Sequence, residues 1–280
     1  MKMIKGQNLS KCKYLLKILI FNFCLIGLIK FKKKNEFKIC LCTIGKKENL
    51  YVKEYVKHYL KYKIDKIFIY DNNDINGEVF DDVISNYIKK NYVEIINYRG
   101  RNKSQLIAMN DCYKKNYKNY NWLIFYDMDE FIYLKDYDNL KDFLNLPKFN
   151  NCEIIQLNWV QHTDNNLIYY NKGSLAKRFK EIGKKINGLI DIKSMIRGNI
   201  TTNITSAHFL NPYLKCCNGF GKKKIIKNYI DISIDKNPDY KYYYIDHYYT
   251  KSTEEYINKI TKGSVASGAK IRDNIVKLFY

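Results

Sequence analysis

Two aspartates one residue apart, Asp127 and Asp129, stand with Glu130 in an otherwise apolar and aromatic run, WLIFYDMDEFIYL (Trp122 to Leu134). Carboxylates at that spacing, on a chain reversing out of a strand, can present oxygens to one hard divalent ion, which in turn binds a diphosphate. The run itself reads as a strand buried on both faces, where an unpaired charge would cost roughly several kcal/mol. The acids therefore belong where the strand ends. In open α/β sheets that edge is where ligands bind.

The elements that must hold these acids follow from the hydrophobic pattern. FKICLCTI reads as a first strand, KENLYVKEYVKHYLKYK as an amphipathic helix with Leu50, Val52, Tyr55, Val56, Tyr59 and Leu60 on one face, and IDKIFIYDNN as a second strand. VFDDVISNYIKKN, YVEIINYRG and SQLIAMNDCYKKNYK supply a helix, a third strand and another helix before the acidic run. That order predicts an α/β fold, a mostly parallel sheet with crossover helices. Polar strand ends then converge on one edge: Thr43, Gly45 and Glu48; Asp71, Asn72 and Asn73; Arg99 and Arg101; Asp127 and Asp129.

With 280 residues, 46% hydrophobic, the chain is long enough for one sizeable core, and 49 basic against 28 acidic residues, net +21, call for an anionic partner. The eight cysteines have no zinc-ligand spacing and read as buried thiols in reducing surroundings. The segment YLLKILIFNFCLIGLIKF (Tyr14 to Phe31) is apolar around a helix and flanked by lysines on both sides. It is expected to lie in a membrane interface among anionic lipids, to span as a signal anchor, or to pack on the domain. There is neither a G-x-G-x-x-G after the first strand nor a G-x-x-x-x-G-K-[ST] motif, which removes the main support for dinucleotide and P-loop readings.

YDMDEF, with KICLCTIGKKENLYVKEYVKHYLKYKIDKIFIYDNND upstream, resembles the nucleotide-sugar-dependent glycosyltransferases of the GT-A fold, especially the family 92 group and its family 2-like bacterial relatives. The resemblance continues, in the family's order, through NW (Asn158, Trp159), KGSLAKRF, KSMI, SAHF and IDHYYTKSTEEYINKITKG. It implies a Rossmann-like GT-A domain after a hydrophobic basic helix: residues 1–35 membrane-associating, 36–150 the donor-binding half and 151–280 the acceptor-binding half. It further implies that Asp127 and Asp129 bind Mn²⁺ or Mg²⁺, that His247 completes the metal site, and that Asp71, Asn73, Arg101 and Gln105 meet the nucleotide. One departure is GKKENL after the first strand, where the family carries a Lys-Asn-Glu run, so that Glu48 and Asn49 are shifted.

If transfer inverts the anomeric centre, as the resemblance implies, a carboxylate should deprotonate the acceptor hydroxyl. Asp164 is the choice because it follows the strand-like CEIIQLNWV on the acceptor side, with Asp191 and Glu181 as the other candidates. Lys193 and Arg197 are candidates for phosphate contacts, and Trp159 for stacking on a sugar or filling the core. The expected partners are a nucleotide-sugar, with UDP-sugar favoured, a glycan or lipid-linked acceptor of surface-polysaccharide or glycolipid synthesis, and an anionic membrane surface at its cytoplasmic face. A basic nucleic-acid-binding protein is disfavoured because the charge is spread along the chain without a recognition motif. A metal-dependent nucleotidyltransferase or phosphohydrolase is the remaining alternative, since paired acids also serve those reactions.

Overall fold

The computed structural model describes residues 36–183, 192–224, 226–227, 230–231 and 241–266. The apolar segment Tyr14 to Phe31 and Asp191 lie outside the described residues. The chain separates into two units, Met1–Phe37 and Lys38–Tyr280. Among the described residues no helix is long and apolar enough to cross a membrane.

The second unit is built on strands β1 (Ile39–Gly45), β2 (Lys66–Asp71), β3 (Val93–Asn97), β4 (Trp122–Phe125), β5 (Glu130–Leu134), β6 (Ile154–Gln161), β7 (Ile192–Arg197), β8 (Cys216–Asn218), β9 (Lys223–Lys224), a short antiparallel pair β10 (Ile226–Lys227) and β11 (Ile230–Asp231), and β12 (Tyr243–His247). The main sheet has ten strands in the order β3-β2-β1-β4-β7-β6-β12-β5, with β8 on β6 and β9 on β8. Strands β3, β2, β1 and β4 are parallel, as the strand–helix alternation predicts. Beyond β4 the sheet turns mixed, because β7 runs antiparallel to both β4 and β6. The expected donor and acceptor halves thus share one continuous sheet.

The last described strand in sequence is internal in space. β12 lies between β6, to which it is parallel, and β5, to which it is antiparallel. This register sets Glu130, His247 and Gln161 directly opposite one another across three strands. Cross-strand partners share a face of the sheet, so the three side chains form one row.

The first described helix, Asn49–Lys61, buries Tyr51, Val52, Tyr55, Val56 and Tyr59, a stripe one residue later than expected at its start, with Leu50 exposed instead. Its tyrosines are also hydrogen-bond donors. Tyr55 Oη donates to the Tyr126 carbonyl at 2.8 Å and Tyr59 Oη to the Glu130 carbonyl at 2.7 Å, which pins both ends of the acidic turn from beneath. Tyr59→Phe leaves a buried carbonyl without that donor. We expect the variant to lose about 1–3 kcal/mol in denaturant unfolding.

The cysteines correct the reading of uniformly reduced thiols. Cys42 of β1 is bonded to Cys112 of the helix Gln105–Asn116, and Cys152 to Cys217 of β8, while Cys40 and Cys216 are buried thiols. The partners are 70 and 65 residues apart in sequence, so pattern alone does not pair them.

Candidate active site

The acidic run does leave its strand where the burial argument places it. Asp127, Met128 and Asp129 form the turn between β4 and β5, and Glu130 opens β5. Met128 is buried, its methyl lying 2.7 Å from where a side chain on Gly45 would begin, so the absence of a side chain at the end of β1 lets the turn close down. The Asp127 amide donates to Glu130 Oε2 at 2.8 Å and the Glu130 amide to the Asp127 carbonyl at 3.1 Å. Glu130 is fully buried at the opening of β5, although the burial argument places the acids where the strand ends. It is held there by this reciprocal bonding and by Lys193 Nζ, 3.5 Å from Oε1.

The two aspartates face different partners. Asp127 accepts from Lys193 Nζ at 2.6 Å and from Gln105 Nε2 at 3.3 Å. Asp129 accepts from Lys259 Nζ at 2.5 Å, with Lys251 Nζ at 4.0 Å and His247 Nε2 at 3.8 Å. Lys259 belongs to the last described helix, Thr253–Thr261. Burial alone would raise the Asp129 carboxyl, but Lys259 and the other neighbouring cations outweigh it and hold it well below the usual carboxylate range. Burial instead dominates at Glu130, whose carboxyl is raised well above its ordinary value against the pull of Lys193. Lys193 is itself raised: burial lowers it, and Asp127 with Glu130 more than compensates.

His247 is buried, and desolvation lowers its pKa to about 3 despite the opposing charge of Asp129. Its ring is therefore neutral at physiological pH. Nδ1 lies 2.9 Å from Gln161 Oε1 and takes the donor role there, leaving the Nε2 lone pair toward Asp129. This is the orientation a metal-ligating histidine needs, with its other nitrogen engaged by a neighbouring oxygen.

Asp129, Glu130 and His247 each offer one ligand atom, all within 4.8 Å of one another. Glu130 Oε1 is buried and accepts no hydrogen bond, its one cationic neighbour among the described residues being Lys193 Nζ at 3.5 Å, and it is the atom that such a cation would meet. Two carboxylate oxygens and an imidazole nitrogen suit Mn²⁺, and the set accepts Mg²⁺ with poorer preference because of the nitrogen. The expected trio Asp127, Asp129 and His247 is thus brought together only in part. Asp127 turns to Lys193 and Gln105, and Glu130 stands in the cluster with the other two.

Gln105 and Asp127 line a pocket with Cys42, Thr43, Tyr70, Met109 and Lys193, at the carboxyl edge of β1 and β4, whose free volume is about 10 Å³. That is room for about one water-sized group. Asp71 is at the neighbouring strand end but is engaged by Arg99 at 2.7 Å, and its other oxygen accepts the Asn73 amide at 2.9 Å. Arg99 also reaches the carbonyls of Asp74, Ile75, Gly77 and Glu78, fixing the loop after β2. Asn73 Oδ1 accepts the Lys47 amide at 2.6 Å, tying that loop to the one after β1, and Arg101 lies over the Tyr98 ring at 4.2 Å.

Asp164 does not join the cluster. It lies three residues beyond β6, and its Oδ1 accepts the Asn166 amide at 3.0 Å, an Asx turn within its own loop. Glu181 is exposed on the facing segment, with its amide donating to Asn165 Oδ1 at 3.1 Å. Trp159 is half-buried and packs its ring 4.1 Å from that of His247, and Lys193 meets carboxylates. Lys251 and Lys259, which sequence reasoning missed, were hidden by the abundance of lysine. The segment IDHYYTKSTEEYINKITKG that carries His247 carries both of them.

A mostly parallel α/β sheet with an acidic turn and a histidine gathered at its carboxyl edge is the architecture expected of the GT-A class. The chain belongs to glycosyltransferase family 92, whose sequence model matches residues 35–267. A glycosyltransferase family 92 protein of Ricinus communis is 26% identical over 105 residues, which are 38% of this chain and 18% of that protein, so the chain spans less than a fifth of that relative's length. Among solved structures, TarS of S. aureus is similar with a TM-score of 0.40 and 13% identity over 81% of this chain and 64% of that one. TarS 1–349 in complex with UDP-GlcNAc aligns at 0.35 with 14% identity over 45% and 35% of the two chains. The mannosyltransferase PcManGT of Pyrobaculum calidifontis, in complex with GDP-Man and Mn²⁺, aligns at 0.33 with 8% identity over 43% and 35%.

Proposed function

We propose that the domain transfers a sugar from a nucleotide-sugar, with a UDP-sugar as the first choice, to a glycan or lipid-linked acceptor. The observation that carries this reading is the buried Asp129–Glu130–His247 cluster beside the pocket at the carboxyl edge of β1 and β4. Asp129, Glu130 and His247 would hold Mn²⁺ or Mg²⁺, which when bound supplies positive charge against the departing diphosphate. Lys193 holds Asp127 and Glu130 in place, and Gln161 fixes the imidazole. The edge formed by Asp71, Asn73, Arg101 and Gln105 is where the nucleotide would lie, with Gln105 in direct contact with Asp127.

The reaction is read as inverting, and Asp164 is kept as the proposed base because it follows directly from the strand that carries Gln161. Calorimetry with a panel of UDP-sugars, with and without Mn²⁺, tests the donor. Asp164→Asn is then expected to keep donor and metal affinity while transfer falls by roughly two to four orders of magnitude, the usual share of general-base catalysis. Transfer at the wild-type rate would move the role to Asp191 or Glu181.

The two disulfides favour an oxidising compartment for the folded domain. That argues against the cytoplasmic face expected from the thiol reading. The apolar, lysine-flanked segment Tyr14 to Phe31 remains the proposed membrane attachment, and fractionation of the full chain against a truncation beginning at Asn35 tests it.

A further inference from the structure

Each aspartate of the acidic turn already has a lysine on it. On Asp127 it is Lys193, 1% exposed and shared with Glu130, an internal strut of the sheet. On Asp129 it is Lys259, and this cation is differently placed. Its side chain is 18% exposed, it ends a flexible stem on the last described helix, and in the seat it holds on Asp129 it also lies 3.7 Å over the Tyr249 ring and 3.1 Å from the Tyr249 carbonyl. The neighbouring Lys251 has no such freedom: it is 3% exposed, packed over the Tyr51 ring and held at a backbone φ of 57°.

A divalent ion on Asp129, Glu130 and His247 would place two positive charges beside the ammonium that now pairs with the same carboxylate. Like charges at that separation repel strongly in a buried site. The metal would approach Asp129 through Oδ1, which faces His247, while Lys259 holds Oδ2, so the ion weakens the lysine's hold on the shared carboxylate, whereas a diphosphate brought by the metal offers Lys259 a new anion within reach of the same stem.

We propose that Lys259 is an exchangeable counter-ion: it holds Asp129 until a divalent cation takes that carboxylate, then moves to the donor diphosphate, so that metal and nucleotide bind as a coupled pair. The proposal rests on the donor-site reading above and adds an order to it. Metal alone binds poorly because it must displace a lysine that then has no anion. With nucleotide present the lysine is rehoused, and each ligand strengthens the other by the same factor.

The test is titration of Mn²⁺ against the full chain, following free Mn²⁺ by electron paramagnetic resonance with and without UDP, and UDP binding by calorimetry. For the wild type, UDP should tighten Mn²⁺ binding by about tenfold or more, within the usual range of coupling between sites. Lys259→Met should bind Mn²⁺ alone about tenfold more tightly than wild type and lose most of the gain from UDP. Lys259→Arg, which keeps the charge, should behave like wild type. Lys115→Met, which removes an exposed lysine paired with Asp111, controls for net charge and should change neither affinity.

Unaltered or weaker Mn²⁺ binding by Lys259→Met overturns the exchange, as does wild-type binding that is indifferent to UDP. If UDP binds and Mn²⁺ binds to none of the proteins, the exchange fails while donor binding stands. If UDP fails to bind as well, the donor-site reading fails with it.

Discussion

Asp129→Asn abolishes divalent-ion binding and lowers sugar transfer by roughly three orders of magnitude or more, the scale on which transition-state charge stabilisation is lost. Asn keeps the shape of the side chain and removes the charge to which His247, Lys251 and Lys259 are all turned. No other carboxylate can replace it from its present position, because Glu130 is locked to the Asp127 amide and Asp127 is paired with Lys193. The variant leaves two lysines without their anion, so its melting temperature must be recorded beside its activity, with Mn²⁺ titration as the direct readout. Turnover that survives in saturating Mn²⁺ would remove Asp129 from the mechanism.

Reduction of the disulfides has the largest expected effect on stability. Bridges closing loops of 70 and 65 residues restrict the unfolded chain by about 4 kcal/mol each in the chain-entropy account, within a usual range of about 2–5 kcal/mol for native bridges. That is a large part of the about 5–15 kcal/mol that holds a typical domain together. The urea midpoint should therefore fall sharply in dithiothreitol, and in the double variant Cys42→Ala with Cys112→Ala. Donor binding should weaken in that variant too, because Cys42 lines the pocket and its bridge ties β1 to the helix that begins with Gln105. Identical midpoints in oxidised and reduced protein would return the cysteines to the role of simple buried thiols.

The parallel half of the sheet was legible because each strand is an apolar run and each crossover an amphipathic helix, patterns that local sequence carries by itself. The turn at Asp127 and Asp129 was legible for the same reason, since charge is expelled from a strand buried on both faces. Glu130 escaped that rule: its charge is answered by Lys193 on β7 and by the Asp127 amide, partners that no local pattern reveals. His247 could be placed near the acids only through a resemblance, because what brings it there is the pairing of β12 with both β5 and β6. The disulfides were invisible for a related reason, as pairs so far apart become neighbours only once helix and strand have packed. Asp164 shows the converse, a residue type that fits a catalytic role and equally fits the local turn that it makes.

The insertion of β12 between two strands made long before it has a consequence for how the protein comes into being. During synthesis β5 and β6 emerge first, and neither can pair directly with the other without closing the slot that Tyr243–His247 must enter. A nascent chain halted before that strand holds the acidic turn and Gln161 but lacks the imidazole between them. Ligand competence thus arrives late and all at once, with one of the longest-range pairings in the chain, the kind of contact that slows folding most. The row Glu130–His247–Gln161 is in effect a seal on completed assembly: a slip of one residue in β12 would turn His247 to the opposite face and silence the site while leaving the rest of the sheet intact.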